Sequence, residues 1–268
     1  DESVENFEKY LLATQMPAGD PERIAMYANG AAEHFTWVES LGVPYKRAVL
    51  LEREIVPFTD ESLLFTGNER AYPFNQIVPP IPRGHVPSKE GDEGGRIFMD
   101  IIMRRVAEEG ATITCDANVS ALVQDGDGRV RGVVARIDGE DILIEAKKAV
   151  ILTMGGFIFN QDMTSKYLSK VLDYATPYGG QWDYGHGILL GMAAGGNIIN
   201  MDEAFTALLV YPPAKLTYGI LVNKQGQRFI NEDCYLARLS YFGSLQTDYK
   251  VYLLIQNEDF EPSSYLER

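Results

Sequence analysis

The chain has 268 residues, 46% hydrophobic and 23% charged, which is enough for a full-sized core and excludes disorder as a whole. Its 38 acidic residues against 24 basic ones leave a net charge of −14, which repels phosphate backbones and argues against nucleic acid as a partner. Two cysteines, Cys115 and Cys234, are too few for a disulfide scaffold or a four-thiolate metal site; they fit a reducing, cytoplasmic compartment, and no apolar run is long enough to span a membrane.

Ser3 opens a short amphipathic helix with Val4, Phe7 and Leu11 on its apolar face. Asp20-Pro21-Glu22 starts a second helix: an acidic cap, a proline at the first helical position and an acid in the first turn. Ile24, Ala28, Ala31, Phe35 and Val38 follow at helical spacing, and Gly42 ends the pattern. Residues 43–87 are proline-rich and lack periodicity, so they are expected to run over the surface, with room for one short hairpin. Gly94-Gly95 leads into a helix over 96–109, closed by Gly110.

A short strand is expected over 111–114. Then comes a β-meander: strands over 119–124, 130–137 and 142–146, joined by Asp-Gly turns. Residues 149–153 are short and fully apolar, as in a buried parallel strand. A helix over 162–169, another over 185–194 and a strand over 198–200 follow. Beyond Met201 the loops lengthen and tyrosines become frequent, with a hairpin signal at Lys224–Gln227; a domain boundary is placed at 203/204.

Several motifs fail on inspection. Asp125-Gly-Asp-Gly lacks the later ligands of a calcium loop and reads as a hairpin turn. His34, His85 and His186 include no pair at metal-ligand spacing, so no metal site is expected. No Gly-x-Gly-x-x-Gly, P-loop or nucleophile elbow is present. Two places carry ligand chemistry. Thr153-Met154-Gly155-Gly156 ends an apolar strand, where glycines let a ligand approach the backbone, though a tight turn uses the same residues. Gly185-His186-Gly187 opens a helix, where free N–H groups can hold an anion.

These residues resemble a family. Glu93-Gly94-Gly95 with its helix, the meander, then Ala149–Phe157 and Asn160, and further on Gly219–Glu232, are similar to the blocks of the FAD-dependent flavoproteins that include fumarate reductase, succinate dehydrogenase and 3-ketosteroid dehydrogenases, in the same order. Within that family, Pro73–Ile77, Pro82–Pro87 and Arg228–Tyr235 most resemble the Δ4-(5)-type 3-ketosteroid dehydrogenases. The resemblance implies an α/β fold: a Rossmann-like FAD-binding domain over 1–203, with a three-stranded meander and without its first strand and Gly-rich loop, and the start of an α+β catalytic, capping domain over 204–268. The chain then reads as an internal piece of a longer protein, and by itself is expected to bind FAD weakly or not at all.

The resemblance implies that Val119, Thr153, Met154, Gly155, Gly156 and His186 meet FAD. His186 stands where the family usually has an acid. Fumarate-type enzymes keep a His-Pro-Thr where Ala207 falls and an arginine where Leu236 falls, next to Tyr235. Short dicarboxylates need cationic partners in a closed site. Aromatic and apolar residues stand here instead, with Phe205, Tyr211 and Tyr218 as substrate-binding candidates and Tyr235 as acid/base. The implied activity is dehydrogenation of a CH–CH bond beside the carbonyl of an apolar, 3-ketosteroid-like ketone, with an unspecified electron acceptor. The alternatives are reduction of a small unsaturated acid, with Arg238 supplying the missing charge, and a flavin-binding remnant without turnover.

Overall fold

The computed structural model describes residues 2–15, 19–53, 59–90, 93–208 and 213–262. In chain order, α1 spans Val4–Gln15 and α2 Pro21–Ser40. Three short strands follow: β1 (Val49–Arg53) pairs in parallel with β2 (Leu63–Phe65), which pairs antiparallel with β3 (Gly84–His85). α3 covers Gly94–Glu108. The meander is β4 (Asn118–Gln124), β5 (Val130–Ile137) and β6 (Glu140–Glu145), antiparallel throughout. α4 (Gln161–Tyr167), α5 (Ser169–Leu172) and α6 (His186–Ala193) come next. The last elements are β7 (Ile220–Asn223), α7 (Leu236–Ser244) and β8 (Val251–Leu254), with β7 and β8 antiparallel.

The helix starts are local chemistry. Asp20 Oδ1 accepts from the N–H groups of Glu22 (3.0 Å) and Arg23 (3.2 Å), satisfying two donors that a helix start leaves open. Ser3 Oγ accepts from Asn6 N at the start of α1. In the meander, Asp125 Oδ1 accepts from Asp127 N and Arg129 N, both at 3.0 Å, so this acid closes a turn.

The chain divides into two compact units, residues 1–111 with 206–268 and residues 112–205. In the first, Tyr10 of α1 packs with Ala71, Phe74, Val78, Leu221, Cys234, Leu236 and Leu239. This corrects the expectation for 43–87. That stretch supplies Leu64, Phe65, Ala71, Phe74 and Val78 to the interior, built from β1–β3 and short 3-10 turns rather than a surface path. His85 belongs to it structurally, its ring 4.4 Å from that of Phe35.

In the second unit, Phe157, Met163 and Leu168 form a small core flanked by Ile188 and Met201. The strands expected over 111–114, 149–153 and 198–200 are not formed, and Ile113, Ile151 and Ile199 are exposed. The physical reason is that a strand exists only with a hydrogen-bonded neighbour. Among the described residues none pairs with these segments. The helix expected over 162–169 is interrupted at Leu168, where φ −119 and ψ 25 leave the helical region. No helix among the described residues is long and apolar enough to cross a membrane.

Candidate flavin site and candidate acid

Residues 153–160 and 183–187 are tied together within the second unit. Gly156 N donates to Asp183 Oδ1 at 3.3 Å, Gly185 N to the Gly156 carbonyl at 2.8 Å, and Phe159 N to the Asp183 carbonyl at 3.1 Å. Asn160 caps α4 through Oδ1 to Met163 N (3.0 Å), and its Nδ2 donates to the Tyr184 carbonyl (2.8 Å). Gly185 sits at φ +76, where a side chain is strained, and a Cβ there would collide with Met163 and Phe157. That glycine lets His186 begin α6 directly against the 154–156 turn.

Met154, Gly155, Gly156 and His186 therefore share one locus. Met154 is half-buried and lies under Gly187, where a Cβ would stand 3.0 Å from its own Cβ. Thr153, Gly155, Gly156 and His186 are exposed. A Cβ at Gly156 would meet nothing within 4 Å, so one face of the turn is open. These residues fit the ring system of a flat cofactor, because bare backbone admits a plane to van der Waals contact. Val119 lies on β4 in the same unit, half-buried and opposite Ala135.

Asp183 escaped sequence reasoning. The family's acid falls at 186, within Gly-His-Gly, whereas the carboxylate that reaches the glycine turn is three residues earlier. The signal was Asp183-Tyr-Gly itself, an acid just ahead of a helix-opening glycine.

Tyr235 lies in the first unit, at the N-cap of α7. It is half-buried and packs on the core around Leu236 and Leu239, as does Leu208. Burial holds its phenol above the ordinary tyrosine pKa. Leu236, at the position of the fumarate-type arginine, is buried in that core. Arg238 stands between rings, its guanidinium carbon 4.9 Å from the centre of Phe74 and 4.8 Å from that of Phe242.

Ahead of Tyr235, Glu232 is a buried carboxylate. Its Oε1 accepts from Leu221 N (2.8 Å) and Arg228 Nε (3.1 Å), and its Oε2 from Arg228 Nη2 (2.5 Å). Burial pushes its pKa up, but the Arg228 and Leu221 hydrogen bonds outweigh it and hold the carboxyl below its ordinary value. Tyr218 is exposed and lines an open 420 Å³ pocket with Arg228, Asn231, Glu232 and Asp233. Phe205 is exposed at the end of the second unit, and Tyr211 lies outside the described residues.

The glycine turn, the helix start beside it and the meander belong to a mixed α/β fold with small sheets, and comparison with known proteins shows it to be that of an FAD-binding flavoprotein. A solved 3-ketosteroid Δ4-(5α)-dehydrogenase from Rhodococcus jostii RHA1, in complex with 4-androstene-3,17-dione, matches with a TM-score of 0.89 and 32% identity, over 97% of this chain and 54% of that one. The chain belongs to the FAD binding domain family, whose model matches residues 1–253, and its cofactor is FAD. The 3-oxo-5-alpha-steroid 4-dehydrogenase of Comamonas testosteroni is 24% identical over 82% of this chain and 49% of that protein. The NADH:acrylate oxidoreductase of Vibrio harveyi is 29% identical over 62% of this chain and 18% of that protein. The chain thus spans about half, or less, of the length of these relatives.

Proposed function

We propose that the chain is part of an FAD-dependent oxidoreductase that acts on a CH–CH bond beside the carbonyl of an apolar, 3-ketosteroid-like ketone. The observation that carries this reading is Tyr235: a half-buried phenol at the start of α7, packed on an apolar wall. A neutral phenol donates a hydrogen bond to a ketone oxygen without bringing fixed charge into an apolar site. That polarises the carbonyl and acidifies the carbon beside it, whose proton passes to a general base as the hydride leaves the neighbouring carbon. FAD, when bound, supplies hydride acceptance at its N5.

In this reading Val119, Thr153, Met154, Gly155, Gly156 and His186 hold the flavin in a Rossmann-like arrangement. Phe205, Tyr211 and Tyr218 serve the substrate, and the functional division falls at 203/204. The similarity to a steroid-bound dehydrogenase over nearly the whole chain supports the substrate class.

A second reading, reduction of a small unsaturated acid, is supported by the similarity to the acrylate oxidoreductase. It requires Arg238 to face a carboxylate instead of resting between Phe74 and Phe242.

Titration of the FAD-loaded protein separates the readings. A saturated 3-ketosteroid should bleach the visible flavin band under anaerobic conditions, and fumarate or acrylate should leave dithionite-reduced flavin unchanged. Reoxidation by the acids with no response to the steroid would reverse the assignment, and a loaded flavin that responds to neither would mark a non-catalytic binder. Tyr235→Phe should keep the flavin and lower kcat by roughly two to four orders of magnitude.

A further inference from the structure

The turn Thr66–Gly67–Asn68–Glu69 follows β2 and reaches Tyr235 across 167 residues of sequence. Glu69 is only 1% exposed, yet its carboxylate is fully employed inside its own turn. Oε1 accepts from Thr66 N (3.2 Å) and Thr66 Oγ1 (2.8 Å), and Oε2 from Gly67 N (2.8 Å). A buried carboxylate bonded three times to one turn makes that turn rigid, because any opening strands a charge away from water.

The rigid turn touches the backbone of Tyr235. Gly67, at φ +151, has no room for a side chain: a Cβ would stand 2.5 Å from Tyr235 Cα and 2.7 Å from Tyr235 N. Asn68 Oδ1 accepts the Tyr235 N–H at 3.0 Å, while the Tyr235 carbonyl accepts from Leu239 N (3.1 Å) to begin α7. Tyr235 is thus held on both sides of its Cα, by the turn at its nitrogen and by the helix at its carbonyl.

We propose that Thr66–Glu69 is a positioning element for Tyr235: Asn68 and Gly67 fix where its phenol stands, and Glu69 keeps the turn from yielding. The inference rests on the reading of Tyr235 as the group that meets the ketone. Asn68 touches no reacting atom in this scheme; it acts through Tyr235, so its removal should show only where Tyr235 acts.

The test is a double-mutant cycle in the FAD-loaded protein with a 3-ketosteroid, read beside the ¹³Cζ tyrosine resonance that Tyr235→Phe removes. Asn68→Ala should lower kcat by about tenfold to a hundredfold with KM nearly unchanged, the usual effect of a small misplacement. Asn68→Asp, which keeps the acceptor oxygen, should restore kcat to within about threefold of the parent, because the bond to Tyr235 N is remade. Adding Asn68→Ala to Tyr235→Phe should cost nothing further, and the Tyr235 resonance should shift in Asn68→Ala and return in Asn68→Asp. An equal loss in both backgrounds, or a resonance that stays put, would overturn the proposal. If Asn68→Ala does not fold, Asn68→Leu, which keeps the branched shape without the acceptor, carries the same comparison. Full turnover by Tyr235→Phe alone would sink the catalytic reading instead, and the resonance would still judge the turn.

Discussion

The two units treat similar apolar residues in opposite ways. In residues 1–111 with 206–268, Ala71 and Leu239 are wholly buried and Leu64 and Leu221 nearly so. In residues 112–205, Leu143 is 67% exposed, Ile151 83% and Ile199 58%, and β6 has no buried residue. Hydrophobicity does not separate these sets. What separates them is whether the described chain supplies a partner. Tyr10, Phe74 and Leu239 come from distant stretches that meet in one core. Ile151 has the composition of a buried strand and no strand beside it. An apolar run earns burial only through a neighbour that removes it from water.

The largest test of that contrast is Leu239→Ala. At 0% exposure, within the core that also seats Tyr235, it should lose about 2–5 kcal/mol of stability, the transfer term plus a cavity. A urea midpoint reports it. A loss under about 1 kcal/mol would mean that the first unit is as loosely packed as the second, and the comparison would fail.

Asp20 and the Asp-Gly turns were legible in the sequence because their partners lie within four residues. Short range also made the meander legible: its register follows from tight turns and alternating residues. The three missing strands show the limit of that method. A strand pattern at 149–153 is a statement about residue type, and pairing is a statement about another segment. The 43–87 stretch failed for the converse reason. Its prolines and lack of periodicity hid Ala71 and Phe74, which are buried by non-local packing that no window of sequence displays. The site divides along the same line. Glycine spacing marked Gly155, Gly156 and His186 as candidates, and the bond from Gly185 N to the Gly156 carbonyl brings these candidates to one locus. Asn68 and Glu69 gave no signal, since their link to Tyr235 exists only after folding.

A smaller effect sharpens the picture of the first unit through acid titration. Glu232 is held below the ordinary carboxylate pKa of about 4.3 when folded. A depressed folded value adds stability that is complete above the unfolded pKa and lost as pH falls through the folded one. The stability difference between the parent and Glu232→Gln should therefore be constant from neutral pH to about pH 5 and shrink below it. Urea midpoints at several pH values measure this. A difference that grows on acidification would mean that burial, not Arg228 and Leu221 N, governs Glu232.

The smallest effect probes the second unit where it is most open. Ile151→Ser removes a β-branched apolar side chain that is 83% exposed and in no sheet. In a packed strand such a change costs several kcal/mol, through lost burial and a hydroxyl taken out of water. Here neither term applies, because the side chain already faces solvent and a serine hydroxyl there stays hydrated. The 268-residue chain should therefore lose less than about 0.5 kcal/mol, the range of ordinary surface changes. Leu239→Ala in the same chain provides the internal scale, since both are read from one set of urea curves. A loss above about 1.5 kcal/mol at Ile151 would mean that something covers this segment in solution, such as a second copy of the chain; that is checked by repeating the measurement at several protein concentrations, where self-association makes the midpoint move.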